Sequence, residues 1–149
     1  MKISMPLTWV VVADASRARI MHFRGHVSGL EELEDFVNPE GRLKAQDLTT
    51  DRHGSRQKRR AEGRPEMGES DETTDKVDED FARMLARELN QRCRDQGVEA
   101  LILAAPPKFL GMLRRQLDEK TAGLVRQTIN KDISRLTPER IKDHLDRAS

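Results

Sequence analysis

Two long apolar runs constrain the fold of this chain more than any other feature of its sequence. The first extends from Leu7 to Ala13 and the second from Val98 to Ala105. Both are dominated by aliphatic residues and do not alternate with polar ones, which is the pattern of a strand covered on both faces. Strands of this kind occur in sheets that carry packed helices, so the runs predict an α/β domain.

The remaining periodic segments predict a second early strand and alternating helices and strands in the second half. A chain of 149 residues is expected to form one domain, here 1–149, with a mixed sheet of about five strands and about three helices. The predicted segments are a strand at Ala18–Phe23, a helix from about Asp75 to Gln96, a helix from Pro106-Pro107 to Glu119, a half-exposed strand at Val125–Ile133 and a helix opening at Thr137-Pro138. The predicted core residues are Val10, Val12, Ile20, Phe81, Leu85, Leu89, Leu101, Leu103, Leu113 and Ile129.

The segment from Leu30 to Val37 is ambiguous by pattern. Its apolar residues Leu30, Leu33, Phe36 and Val37 follow a helical spacing, so the local pattern favours a helix. The sequence Asn-Pro-Glu-Gly at 38–41 then ends the element, whichever type it is.

The segment 42–74 has almost no apolar content and a divided charge. Eight basic residues face three acidic ones between Arg42 and Arg64, whereas eight acidic residues face one basic residue between Glu66 and Asp80. The formal net charge of +1 for the whole chain conceals this separation. We expect a mobile charged loop over 42–74, because so little apolar surface cannot offset the entropy of ordering.

The basic part of this segment is the only concentrated functional signal in the sequence. Guanidinium groups match phosphates by bidentate hydrogen bonding, and the segment has no aromatic residue for stacking on bases. It is therefore either an RNA-binding element that contacts the phosphate backbone, or a solvated charged loop that pairs with the neighbouring acids. The candidate RNA-binding residues are Arg52, His53, Arg56, Gln57, Lys58, Arg59, Arg60 and Arg64.

No other motif indicates catalysis, a metal or a cofactor. His22 and His26 are interpreted as surface residues rather than ligands, because they lie on a strand and a turn rather than on one helix face and no cysteine is nearby. Cys93 lies on the apolar face of a predicted helix and is interpreted as a core residue. Asp14 follows a buried strand, where a cap of the next turn is favoured over a catalytic carboxylate.

The same sequence predicts a cytoplasmic protein without a membrane segment. The single cysteine excludes an internal disulfide and suits a reducing compartment. The first apolar run is short for a signal peptide and lacks a small-residue cleavage site, and no segment approaches the ~18 apolar residues of a membrane span.

Several segments together resemble the bacterial host-attachment protein family, which is named for a supposed requirement in attachment to host cells. The resemblance covers nearly the whole chain and implies that Leu30–Val37 is a strand, against its local pattern. The matching segments are WVVVADASRARI at 9–20, NPEGR at 38–42, LILAAPPKFLGMLR at 101–114, NKDIS at 130–134 and the closing helix at Ile141–Leu145.

That family is held to be similar to the middle domain of the class-1 translation release factors of archaea and eukaryotes. In that domain a long loop carries Gly-Gly-Gln, whose glutamine promotes peptide release. Here Ser55 and Arg56 precede Gln57, so the two glycines are missing and the resemblance to ribosome-rescue relatives with a basic loop is nearer. The resemblance implies a non-catalytic module that binds ribosomal RNA or a tRNA-bound ribosome, with no cofactor. The alternatives are an interaction protein with a protein partner in host or surface attachment, and a peptidyl-tRNA esterase.

Overall fold

The computed structural model describes residues 6–38 and 56–148, with side chains from 6–38 and 75–148. These residues form five strands and four helices. The strands are β1 (Thr8–Ala13), β2 (Arg17–Phe23), β3 (Leu30–Val37), β4 (Ala100–Ala104) and β5 (Val125–Ile129). The helices are α1 (Arg56–Gln96), α2 (Pro107–Gln116), α3 (Glu119–Ala122) and α4 (Pro138–Ala148).

The strands form one mixed sheet in the order β3-β2-β1-β4-β5. β1 pairs in parallel with β4, and β4 pairs in parallel with β5. β2 is antiparallel to both β1 and β3, so β3 runs in the same direction as β1, β4 and β5. The predicted α/β class and mixed five-stranded sheet are confirmed, with four helices rather than about three.

The sheet is covered on both faces, as the two apolar runs require. Alternate residues of β1 belong to different clusters: Val11 packs with α1 and α2, whereas Val10 and Val12 pack with Ile141 and Leu145 of α4. The residues of β1 and β4 therefore have no solvent-facing side, which explains the absence of polar alternation in the two runs. Of the ten predicted core residues nine are buried, and only Ile129 is half-buried.

Helix α1 begins at Arg56, 19 residues before the predicted start at Asp75. The prediction of a loop is therefore wrong over 56–74, where the backbone is helical, and its remaining part, 42–55, lies outside the described residues. Arginine, lysine, glutamine, glutamate and alanine favour helices, but here they carry no apolar period that a pattern could detect. Although α1 has 41 residues, no helix in the described part of the chain is long and apolar enough to cross a bilayer.

The segment Leu30–Val37 is an edge strand, so the helical interpretation of its local pattern is wrong and the expectation from the family resemblance is confirmed. A β-bulge explains the misleading spacing. The register of β2 and β3 shifts between Ile20 and Met21, which leaves Leu33 as an extra residue in β3. Leu30 then packs on the cluster around α4 and Phe36 on the cluster around α1, so the apolar residues serve opposite faces of the sheet.

Two predicted boundaries in the second half also change. The helix predicted to reach Glu119 stops at Gln116, and a separate single turn, α3, follows. The Asp118 carboxylate accepts a hydrogen bond from the Thr121 N–H at 2.8 Å and so caps α3. The strand predicted to end at Ile133 stops at Ile129, and Ile133 is buried within the following loop instead.

Candidate functional site

The candidate RNA-binding residues fall at the start of α1 and in the segment before it. Arg52 and His53 lie outside the described residues. The other six occupy the first three turns of α1, and only their backbone is described: Arg56, Gln57, Lys58, Arg59, Arg60 and Arg64.

The helical backbone groups most of these positions on one side. At about 100° of rotation per residue, positions 56, 59, 60 and 64 fall within about 140° of the helix circumference, and position 58 lies on the opposite side. A helix therefore separates Lys58 from the four arginine positions, which a loop would not do.

Both ends of the stretch 39–74 are attached to the same end of the sheet. The Asn38 N–H donates to the Ser16 carbonyl oxygen at 2.9 Å, and its Nδ2 donates to the Ala15 carbonyl oxygen at 3.0 Å. Ala15 and Ser16 form the turn that follows β1. On the other side, the Lys108 Nζ lies 2.6 Å from the Asp75 carboxylate, and Lys108 follows β4. The charged stretch thus leaves and returns at the carboxyl end of the parallel strands.

A polar network holds the loops at this carboxyl end. Asp14 Oδ1 accepts from the N–H groups of Ser16 and Arg17 at 2.7 and 3.0 Å, so the prediction that Asp14 caps the turn is confirmed. Asp14 Oδ2 lies 3.3 Å from the hydroxyl oxygen of Ser134, which is fully buried and donates to Asp132 at 2.8 Å. The network joins the β1–β2 turn to the loop after β5.

Sequence reasoning missed a buried arginine in this network. Arg19 on β2 is 7% exposed and donates through Nη1 to the carbonyl oxygens of Ser134 and Leu136, at 2.8 and 2.7 Å. Its Nε donates to Glu32 at 2.6 Å. The only sequence signal was a charge between Ala18 and Ile20 in an otherwise apolar strand.

The histidines lie at the surface and Cys93 lies in the core, as the sequence indicated. His22 lies 3.8 Å from Glu31 and His26 lies 2.8 Å from Asp146, each in a surface pair. Among the described residues, no three histidine, cysteine or acidic side chains are grouped closely enough to hold a metal ion. Cys93 is buried, and this burial, with a smaller contribution from the charge of Asp118, raises its pKa to about 11.

The fold defines a class: a single α/β domain with a mixed sheet and a long charged helix that contacts the carboxyl end of its parallel strands at Asp75. The model of the family described as "protein required for attachment to host cells" matches residues 9–145. The chain belongs to this host-attachment family.

Two further comparisons add little to this assignment. The chain resembles the crystal structure of an archaeal translation termination factor, aRF1, with a TM-score of 0.48 and 12% identity. That match covers 95% of this chain but only 38% of the factor. No curated protein sequence matches the chain significantly.

Proposed function

We propose that this protein is a non-catalytic RNA-binding module that contacts ribosomal RNA or a tRNA-bound ribosome. The observation that carries the proposal is the cationic stretch at 42–64, with eight basic and three acidic residues, which lies between Asn38 and Asp75, two residues held at one end of the sheet. Such a stretch can reach phosphates while Asn38 and Asp75 stay held at the sheet. Each cation that contacts a phosphate releases counterions, which favours binding at low salt.

The proposed contact is with the phosphate backbone rather than with bases. The five aromatic residues of the chain are Trp9, Phe23, Phe36, Phe81 and Phe109, and all lie in the described part. None of them is exposed, so none provides a platform on which a base could stack. Arginine binds phosphate oxygens in pairs without reading sequence, and the proposed binding is therefore broad in sequence preference.

The absence of the two glycines before Gln57 favours a non-catalytic role. Glycine permits backbone conformations that Ser55 and Arg56 adopt at a cost, so the backbone path of a Gly-Gly-Gln motif is not expected here. The peptidyl-tRNA esterase is the catalytic alternative, and it requires Gln57.

A role as an interaction protein in host or surface attachment is the second candidate. The description of the family, which refers to attachment to host cells, favours it. In that case the charged stretch would contact a protein partner, and RNA affinity would not depend on its arginines.

Ribosome co-sedimentation at low and high salt, with RNA binding measured in parallel, separates these candidates. Replacing Arg56, Arg59 and Arg60 together by alanine should lower the magnitude of the log–log salt slope by about two to three. A matched control removes three exposed arginines from the described part of the chain: Arg94, Arg114 and Arg147. Unchanged RNA and ribosome binding by the first variant would overturn the proposal in favour of the interaction protein.

The single substitution Gln57→Ala tests the catalytic alternative. A neutral amide adds little to binding through counterion release, so binding should persist in this variant. If the wild-type protein hydrolyses peptidyl-tRNA and Gln57→Ala abolishes that activity while binding remains, the esterase replaces the non-catalytic module.

A further inference from the structure

In the loop after β5, residues 130–137, the backbone is held on both sides of Arg135. The guanidinium of Arg19 binds the carbonyl oxygens of Ser134 and Leu136, the residues immediately before and after Arg135. The Ser134 N–H and hydroxyl both donate to Asp132 Oδ1, at 3.1 and 2.8 Å. The backbone that carries Arg135 is therefore held by a buried cation and by a local turn.

The Arg135 side chain itself faces solvent. It is 67% exposed, and Nη2 lies 3.9 Å from Asp14 Oδ2. An ion pair at that distance and exposure contributes little. The other oxygen of Asp14 is occupied by the N–H groups of the turn. The Arg135 guanidinium thus keeps donors available for an acceptor outside the protein.

Arg135 is also next to the place from which the cationic stretch departs. Ser134 contacts Asp14 in the turn after β1, and the Ser16 carbonyl oxygen of that turn binds Asn38, the last described residue before the stretch. The fixed loop and the start of the stretch therefore share one end of the sheet.

We propose that Arg135 is a preorganised phosphate contact that extends the RNA-binding surface from the cationic stretch onto the folded domain. This inference rests on the proposed function. The guanidinium fork matches the geometry of a phosphate, and a backbone that is already fixed lowers the ordering cost of the contact. Because Asp14 and Asp132 offset the local charge, the contribution is a short-range contact and not a long-range attraction.

The expected effect is that of one phosphate contact. Removing one counterion-releasing contact lowers the magnitude of the log–log salt slope by about 0.7 to 0.9, according to whether the RNA is single- or double-stranded. At about 0.15 M salt, a change of this size in the slope corresponds to a loss of affinity of about four- to fivefold.

The experiment measures binding of a fluorescein-labelled oligouridylate of about 20 nucleotides to the full chain at several salt concentrations between about 50 and 200 mM. The contact is removed by Arg135→Ala. The matched control is Arg147→Ala, which removes another exposed arginine, from the last turn of α4. Arg135→Lys keeps the charge without the planar fork, so it should retain the salt slope with weaker binding.

Each outcome decides the inference. A lower slope and affinity for Arg135→Ala, with Arg147→Ala unchanged, support it. If Arg135→Ala and Arg147→Ala have the same salt slope and affinity, while the triple variant at Arg56, Arg59 and Arg60 still loses affinity, the inference is overturned and the proposed function stands. If the wild-type chain does not bind the oligouridylate, while ribosome binding depends on the three arginines, the single-strand contact is refuted. If neither RNA nor ribosome is bound, both proposals fail.

Discussion

The substitution Arg19→Met should destabilise the domain far more than a charge on a strand normally does. Methionine keeps part of the aliphatic volume but removes the donors that bind the Ser134 and Leu136 carbonyl oxygens and Glu32. A hydrogen bond that involves a charged group contributes about 1.5–3 kcal/mol. The Ser134 bond is fully buried, whereas water can reach the part-buried Leu136 oxygen and the side chain of Glu32, which is 43% exposed.

Only part of the summed bond energy is therefore lost, and we expect the free energy of unfolding to fall by about 2–4 kcal/mol. Replacing a buried ion pair by apolar residues can be neutral when both partners change. Here the main acceptors are backbone carbonyl groups, which no substitution removes. The loss of the arginine alone leaves them without their donor.

Urea unfolding followed by the fluorescence of Trp9 measures this effect, because Trp9 is the only tryptophan and is 6% exposed in the fold. The matched control is Arg24→Met, in which the arginine is 53% exposed and pairs with Glu31 at 2.9 Å. A surface pair of this kind contributes less than about 1 kcal/mol. Equal stabilities of the two variants, at unchanged denaturant dependence, would refute the role assigned to Arg19.

Two further predictions concern the core on the α1 side of the sheet. Leu103→Ala should lower the free energy of unfolding by about 2–5 kcal/mol, because Leu103 is fully buried and its truncation leaves a cavity. The control is Leu33→Ala, because Leu33 is 42% exposed; it should lower the free energy of unfolding by less than about 1 kcal/mol in the same urea titration. A Leu103→Ala variant as stable as Leu33→Ala would contradict the packing. Cys93 should react slowly with iodoacetamide at pH 8 and readily after unfolding in urea, because burial raises its pKa to about 11 and keeps the thiol neutral. Since its pKa is raised on folding, the burial of the neutral thiol stabilises the fold below about pH 9, and this contribution is lost as the pH rises towards 11. Rapid native alkylation at pH 8 would contradict this account.

The candidate site was only partly accessible to sequence reasoning. The cationic residues were identified by composition, which needs no fold, but they were placed on a loop. The structure puts Arg56–Arg64 on a helix, because helix propensity without an apolar face leaves no periodic signal. Nothing in the sequence distinguishes Arg135 from other exposed arginines in short loops. What distinguishes it is that Arg19 binds the carbonyl oxygens of the residues before and after it, which only the structure shows.

The sequence by itself determined the central strands and the packed part of the helices. β1 and β4 are recognisable in the sequence as apolar runs because both of their faces are buried. The apolar residues of α1 from Phe81 to Cys93 follow the helical period because only one side of the helix is buried. The proline at the start of α2 and α4 marks their first turns for a local reason, the missing N–H. Each of these signals arises within a few residues of the chain.

Only the tertiary structure decided the edge strand and the network at the carboxyl end of the sheet. Leu30 and Phe36 have a helical spacing, and the bulge opposite Ile20 is what assigns them to opposite faces. Arg19 lies 115 residues from Ser134 in the sequence, so no local pattern could reveal that bond. Its burial and its partners depend on where β2 places it beneath the loop after β5, and long-range contacts of this kind exist only once the sheet is assembled.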